Sequence, residues 1–280
     1  MKRWVLAALA ALCCVLAGCS VEGDDLLCLP ELPAQHILVQ NQIDGLLASG
    51  FSLSAPLSGT GRASVQMVDL DSDGTDEALV FGVSRKNEST VPQVYIYRYA
   101  RGRYELAACI EGAGDSIDTV LYPEMGAERR RVLAVGWRLG ANPTCGLSVY
   151  RYDGRAVLLY NGEYTGLCAA DFDGDGSDEL LVLRHAVSEP GTASLLAFAS
   201  GKLSAVGAAV LTEGVAAPES VRFDALGSGY SGAVVDAALA QPGASGMITD
   251  VLLFDSGRLC NVTCSDSGRG NAATYRPLSC

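Results

Sequence analysis

The sequence contains little of what common catalytic machineries need. Among its 280 residues there are two histidines, His36 and His185, which lie far apart in the chain. A Ser-His or Cys-His catalytic arrangement would have to use one of them. The nearest approach to a Gly-x-Ser-x-Gly elbow, at residues 229–233, ends in alanine, and there is no Gly-Lys-Ser or Gly-Lys-Thr phosphate motif. These absences argue against serine hydrolases and phosphate-loop enzymes.

Positively charged residues are also scarce. The chain has 20 lysines and arginines against 32 aspartates and glutamates, which gives a net charge of −12. Because such a surface repels nucleic acid and anionic lipid, we expect no nucleic-acid partner. Hydrophobic residues make up 49% of the chain, so the composition is that of a folded protein with a sizeable core.

Long apolar runs are missing except at the N-terminus. Residues 1–3 form a basic start, residues 4–16 are apolar, and Leu-Ala-Gly-Cys follows at residues 16–19. The apolar run is too short for a comfortable membrane span, and small residues precede the cysteine. This pattern resembles a bacterial lipoprotein signal, which implies cleavage before Cys19 and attachment of lipid to its thiol. The alternative is an ordinary secretory signal in which Cys19 is incidental.

The lipoprotein resemblance sets the expected location. It implies a signal peptide over residues 1–18, and a lipid-anchored cysteine with a tether over residues 19–33. Several acyl chains anchor a protein firmly because each buried CH₂ contributes about 0.8 kcal/mol. No later segment approaches the roughly 18 consecutive apolar residues of a spanning helix. We therefore expect an extracytoplasmic lipoprotein of the bacterial cell envelope, attached to the membrane through its N-terminal lipid.

A short helix is predicted after the tether. Apolar residues within 35–49 partly fit one helical face, and Gly50 is placed to end the helix; the predicted face consists of Ile37, Leu38, Ile43, Leu46 and Leu47. We expect a helix and linker over residues 34–57.

Two acidic loops are the most informative motifs. Residues 69–77 and 171–179 both place carboxylates at positions 1, 3, 5 and 9 around a glycine at position 6. Ca²⁺ prefers six to eight oxygen ligands, and a loop that folds back on itself can aim alternate side chains inward. The predicted ligands of the first ion are Asp69, Asp71, Asp73, Glu77 and the Thr75 carbonyl; those of the second are Asp171, Asp173, Asp175, Glu179 and the Ser177 carbonyl.

The surroundings of these loops differ from those of an EF-hand. An EF-hand has a bidentate glutamate at position 12 and helices on both sides. Here position 12 is Val80 or Val182, and the flanking residues 65–68 and 78–83 have the pattern of apolar strands. The sequence therefore predicts a shortened calcium loop between strands. The alternative is an acidic, solvated turn that binds no ion.

The loops belong to a repeat of about 50 residues. Glycines recur at this interval at Gly74, Gly126, Gly176 and Gly229. A β-branched or aromatic strand followed by a Gly-containing turn keeps the same period, with turns at 102–103, 154–155, 201–202 and 257–258. Each unit therefore has about four strands: one entering the loop, one leaving it, and a hairpin pair. This is the size of a propeller blade.

The Asp-x-Asp-x-Asp-Gly-x-x-Glu loop followed by an apolar strand resembles the FG-GAP or VCBS-type repeats of integrin α-chain propellers and bacterial surface proteins. The resemblance implies an all-β, propeller-like array of about four four-stranded blades over residues 58–280, with structural calcium in two loops. The second and fourth repeats lack most of the carboxylates, so we expect no ion there although Asp224 keeps the first position. Four blades are the minimum for a ring, so either the ring closes with four or the array is truncated.

Cysteines give a weaker signal. Apart from Cys19 and two signal-peptide cysteines there are seven, an odd number; they are Cys28, Cys109, Cys145, Cys168, Cys260, Cys264 and Cys280. Disulfides are permitted outside the cytoplasm, and Cys145 with Cys168 or Cys260 with Cys264 are candidate pairs. The connectivity remains open from the sequence.

Taken together, these patterns predict a cell-surface calcium-binding lipoprotein that acts as a non-catalytic binding, adhesion or structural module. Its partner would be an extracellular protein or a glycan. The alternative is a propeller scaffold for a hydrolase or lyase acting on polysaccharide or peptide, which a pocket of converging Asp, Glu, Tyr or Arg residues outside the ion loops would favour. A fragment of a longer surface protein is the third interpretation.

Overall fold

A computed structural model describes residues 34–87, 89–186, 189–199, 201–227, 230–239 and 246–263. Among these residues one helix precedes four mainly antiparallel sheets of four to six strands, which confirms the predicted all-β class with an N-terminal helix. The propeller arrangement stays a prediction. The signal peptide, Cys19 and the tether lie outside the described residues. The chain divides into two compact units, residues 1–40 and 41–280, and all the sheets belong to the second. Within the described ranges, no helix has the length and apolar character needed to cross a membrane.

Helix α1 (Ala34–Ala48) ends close to the predicted stop. Gly50 follows it with a φ of +90°, a left-handed conformation that glycine adopts without strain. The predicted apolar face was wrong in part, because Ile37, Leu38 and Leu47 are 59%, 39% and 44% exposed. Ile43 is buried as expected, but the other buried side chain among residues 37–48 is Val39. These two residues are four apart and therefore share one face.

The first sheet has five strands. They are β1 (Ser52–Leu53), β3 (Val65–Val68), β4 (Glu77–Lys86), β5 (Ser89–Ala100) and β6 (Arg103–Glu111). Strand β4 pairs antiparallel with β1, β3 and β5, and β5 pairs with β6. The strand β1, which lies in the predicted linker, is thus part of the sheet.

The second sheet consists of four main strands and two additional two-residue strands. Its strands are β2 (Ser58–Gly59), β7 (Ser116–Leu121), β8 (Glu124–Met125), β9 (Arg130–Arg138), β10 (Cys145–Tyr152) and β11 (Ala156–Tyr164). The order along the sheet is β11-β10-β9-β7-β2, with β8 paired to β9. Strand β2 runs parallel to β7, whereas the other pairs are antiparallel.

The third and fourth sheets are four-stranded and follow the chain order. The third contains β12 (Gly166–Ala170), β13 (Glu179–Ala186), β14 (Glu189–Ala199) and β15 (Lys202–Val210). The fourth contains β16 (Val215–Gly227), β17 (Tyr230–Leu239), β18 (Met247–Asp255) and β19 (Arg258–Asn261). The last two strands of each sheet form the predicted hairpins, and the turn glycines Gly102, Gly154, Gly201 and Gly257 all have positive φ.

Three hydrophobic cores join successive sheets. The first core packs residues such as Phe81 of the first sheet against Trp137 of the second. The second joins Leu147 of the second sheet to Leu180 of the third, and the third joins Leu195 to Leu252 of the fourth sheet. Successive sheets therefore pack apolar faces against each other. Among the described residues, no such core joins the fourth sheet to the first.

Four cysteines are described. Cys109, Cys145 and Cys168 are free thiols, so the candidate disulfide between Cys145 and Cys168 was wrong. These two lie in separate sheets, on β10 and β12. Cys260 is disulfide-bonded.

Candidate metal centres

Both acidic loops connect the first two strands of a repeat. The β3–β4 pairing ends at Val68 and Glu77, and the β12–β13 pairing ends at Ala170 and Glu179. The position-9 glutamate therefore lies at the start of the returning strand in both loops. The intervening residues leave the sheet and turn back, as the sequence predicted.

Each loop brings three carboxylates together. One oxygen from each of Asp69, Asp71 and Glu77 lies within 4.8 Å of the others, and Asp171, Asp173 and Glu179 form a matching group. We call these the first and second triads. In the first triad, Oδ1 of Asp71 is buried and has no hydrogen-bond partner in the described parts of the chain. All-oxygen ligands of this kind suit a hard divalent cation, so either triad could bind a metal ion.

The position-1 aspartates shape the loops by accepting backbone hydrogen bonds. Asp69 accepts from the amides of Asp73 at 3.1 Å and Gly74 at 3.0 Å. Asp171 accepts from Gly174 at 2.7 Å and Gly176 at 2.9 Å. The position-6 glycines both have a φ of +87°, where a side chain would be strained. The predicted need for glycine at this position is thus met in both loops.

The two glutamates are the most buried members of the triads. Glu77 and Glu179 are 3% and 4% exposed, and each accepts a 2.9 Å hydrogen bond from a backbone amide, of Leu70 and Phe172 respectively. Burial raises the pKa of both glutamates to about 7, and the negative charges of the neighbouring aspartates add to the rise. Burial also raises the pKa of Asp71, with Asp73 contributing. A bound cation would relieve this repulsion.

Position 5 is arranged differently from the expected ligand set. Oδ1 of Asp73 accepts from the amide of Thr75 at 2.7 Å, and Oδ1 of Asp175 accepts from Ser177 at the same distance. These local turns leave both aspartates outside the triads. The hydroxyl of Ser177 donates a 3.3 Å hydrogen bond to the Gly126 carbonyl oxygen. The roles of Asp73, Asp175 and the Thr75 and Ser177 carbonyls as ligands stay predictions.

The degenerate second loop contacts both acidic loops. Glu124 and Asp178 exchange two hydrogen bonds, of 2.7 Å from the Asp178 amide to the Glu124 carbonyl and 2.9 Å from the Glu124 amide to the Asp178 carboxylate. Arg131 donates to the Asp69 carbonyl at 3.0 Å and to the Glu124 carboxylate at 3.0 Å. The second repeat thus fixes the loops before and after it in the chain. In the fourth repeat, Asp224 pairs with Arg222 at 2.8 Å.

A polar cleft adjoins the first triad. It has a volume of about 420 Å³ and is lined by Asp71, Asp73, Thr75, Glu77, Arg98, Tyr99, Ala100, Arg101, Glu105, Tyr152 and Gly154. Tyr152 and Gly154 belong to the second sheet and its hairpin turn, whereas the other lining residues belong to the first sheet and its loops. Sequence reasoning missed this cleft because Tyr152 lies about 80 residues from the loop, and only the stacking of successive sheets brings them together.

No family model matches the chain, and no curated protein is significantly similar to it.

Proposed function

We propose that this protein is a bacterial cell-envelope lipoprotein whose β domain binds two structural Ca²⁺ ions and acts as a non-catalytic binding or adhesion module. The observation that carries the proposal is the matched pair of triads, which occupy the same position of the first and third sheets. Two unrelated acidic turns would not be expected to share the same buried glutamate, the same backbone hydrogen bond and the same glycine conformation.

The choice of calcium follows from the ligand chemistry. The triads offer carboxylate oxygens only, and further backbone and water oxygens can complete a flexible shell of six to eight ligands. Mg²⁺ demands a nearly ideal octahedron and keeps several waters, whereas Zn²⁺ favours nitrogen and sulfur ligands. Asp73 and Asp175 each have a second carboxylate oxygen that could join the shell.

The carboxylates at the first site favour binding over hydrolysis. Asp71, Asp73 and Glu77 belong to the ion loop, and Glu105 is held by Arg103 at 2.8 Å. A glycosidase needs a second pair of carboxylates that is free to act as acid and base. The cleft offers no such pair outside the ion loop among its lining residues.

A calcium-dependent stability measurement tests the proposal. We would record thermal unfolding of the full chain, purified in detergent, in chelator and in millimolar Ca²⁺. An ion that binds only the folded form contributes RT ln(1 + [L]/Kd), about 2.7 kcal/mol per site at a hundredfold excess over Kd. Ca²⁺ should therefore raise the midpoint clearly, and titration calorimetry should find two ions per chain.

Substitutions within the triads give the matched controls. Asp71→Asn and Asp173→Asn should each remove one ion and about half of the calcium effect. In chelator these variants should be at least as stable as the parent, because each removes one repelling charge. Asp115→Asn, at an exposed position outside both loops, should behave as the parent. An unchanged midpoint in Ca²⁺ would mean that the loops are plain acidic turns.

A further inference from the structure

The cleft beside the first triad contains a buried hydroxyl without a partner. Tyr152 is 3% exposed, and its Oη atom is buried with no hydrogen-bond partner among the described residues. Because an unsatisfied buried hydroxyl is costly, this atom indicates a missing donor or acceptor in the cleft. Burial raises the pKa of Tyr152 to about 12, so the phenol keeps its proton at neutral pH and can donate.

The hydroxyl is specific to this site. Phe254 of the fourth sheet packs against the third core, which includes Phe172 of the second acidic loop. In the first core, Tyr152 of the second sheet belongs to the same cluster as Leu70 of the first acidic loop. The core next to the second acidic loop therefore has a phenyl ring where the core next to the first loop has a phenol. A phenylalanine could fill the same space, so packing alone does not explain the hydroxyl of Tyr152.

The cleft also holds unpaired positive charge. Arg98 and Arg101 line it, and neither forms an ion pair within the part of the chain that the structure describes. The nearby Glu105 already accepts two hydrogen bonds from Arg103, at 2.9 and 2.8 Å. A bound Ca²⁺ would offset two of the four negative charges of Asp69, Asp71, Asp73 and Glu77. Arg98 and Arg101 add two positive charges at the cleft, so a guanidinium there can pair with a carboxylate of a ligand.

An exposed aromatic ring completes the lining. Tyr99 is 42% exposed and is fixed by contact with Tyr104, with ring centroids 5.4 Å apart. A rigid aromatic face next to polar groups suits a ligand that has both an apolar and a hydroxylated side. The volume of about 420 Å³ lies within the range of small-molecule sites and fits about one sugar ring.

We propose that this cleft binds an acidic sugar, a uronate residue of a glycan, with Arg98 pairing with its carboxylate, Tyr152 donating to a ring oxygen, and Tyr99 packing against its C–H face. The proposal rests on the proposed calcium function, because the ion lowers the negative charge of the loop that would otherwise repel the ligand. It assigns the ligand to the first site alone.

Saturation-transfer NMR with glucuronate tests this inference on the full chain in detergent. Glucuronate should bind in millimolar Ca²⁺, and at least tenfold more weakly in chelator; glucose should bind at least tenfold more weakly than glucuronate. Tyr152→Phe should weaken binding about fivefold by removing one hydrogen bond. Arg98→Ala should weaken it at least tenfold. The controls Tyr160→Phe and Arg258→Ala alter residues outside the cleft and should bind as the parent.

Calcium-dependent unfolding of the same samples separates the two proposals. If Ca²⁺ raises the midpoint but glucuronate does not bind, the ligand assignment is overturned and the calcium sites stand. If glucuronate binds equally well in Tyr152→Phe and Arg98→Ala, the cleft is the wrong site. Equal binding in chelator would overturn the role given to the ion. Binding of an aspartate-containing peptide without binding of glucuronate would overturn the choice of a glycan.

Discussion

At the scale of single residues, the two buried glutamates make stability depend on pH. The pKa of Glu77 and of Glu179 is about 7 in the folded protein, against about 4.3 for an unperturbed glutamate. Between these values the metal-free folded state binds more protons than the unfolded state. The free energy of unfolding in chelator should therefore be highest below about pH 4 to 5 and fall as pH rises through 7. Each pKa unit corresponds to about 1.4 kcal/mol.

Urea unfolding in chelator at pH 5 and pH 8 measures this effect. In Ca²⁺ the difference should shrink or reverse, because the ion binds the deprotonated carboxylates. The double variant Glu77→Gln, Glu179→Gln should lose most of the pH dependence while keeping the side-chain volumes. Equal stability of the metal-free parent at both pH values would contradict the prediction.

Some residues of the candidate metal sites can be predicted from the sequence, and others cannot. Positions 1, 3 and 9 of each loop were predicted from spacing alone, because their geometry depends on one continuous segment. Asp73 and Asp175 lie outside the triads, since a carboxylate can also close a local turn with an amide two residues on. Tyr152 could not be predicted, because its contact with the first loop depends on how two sheets stack.

At the scale of elements, the short strand β1 depends on a glycine in β4. A Cβ atom at Gly82 would lie 2.3 Å from the Ser52 carbonyl oxygen and 2.4 Å from Cζ of Phe51. Phe51 also contacts Tyr95 edge-on, with ring centroids 5.2 Å apart. Alanine at position 82 should therefore displace the segment around β1 and lower the free energy of unfolding by about 1–3 kcal/mol.

Gly45→Ala is the matched control for this prediction. Gly45 lies within α1, and nothing approaches its Cβ position within 4 Å. Alanine there should raise stability by about 0.5–1 kcal/mol, because glycine is the poorer helix former. Denaturant unfolding of the two variants tests whether Gly82→Ala lowers, and Gly45→Ala raises, the free energy of unfolding. Gly82→Ala with parental stability would show that β1 is not held against the first sheet.

The long strands of each repeat were easier to predict than the short strands β1 and β2. The 50-residue period and the four hairpin turns define the repeating unit, and the structure follows both. Strands β1 and β2 were missed because two-residue pairings leave no periodic pattern in the sequence. The buried face of α1 was partly wrong for a related reason: an apolar pattern indicates that a face exists, but tertiary packing decides which residues it contains.

At the scale of the whole molecule, the sheets are coupled in series through three cores. In such an array each repeat is stabilised mainly by its neighbours, so weakening one interface should separate the parts on either side of it. The second core lies between the first pair of sheets and the last pair, and it includes the fully buried Leu147. Each pair of sheets also carries one triad.

Leu147→Ala tests whether the array is open or closed. The substitution should cost about 2–5 kcal/mol and, in an open array, split denaturant unfolding into two steps. Adding Asp71→Asn should then remove the calcium response of one step, and adding Asp173→Asn that of the other. Leu158→Ala, on the same sheet but 52% exposed, should leave a single transition. In a closed ring the fourth sheet would pack on the first, and Leu147→Ala would lower the midpoint without splitting it.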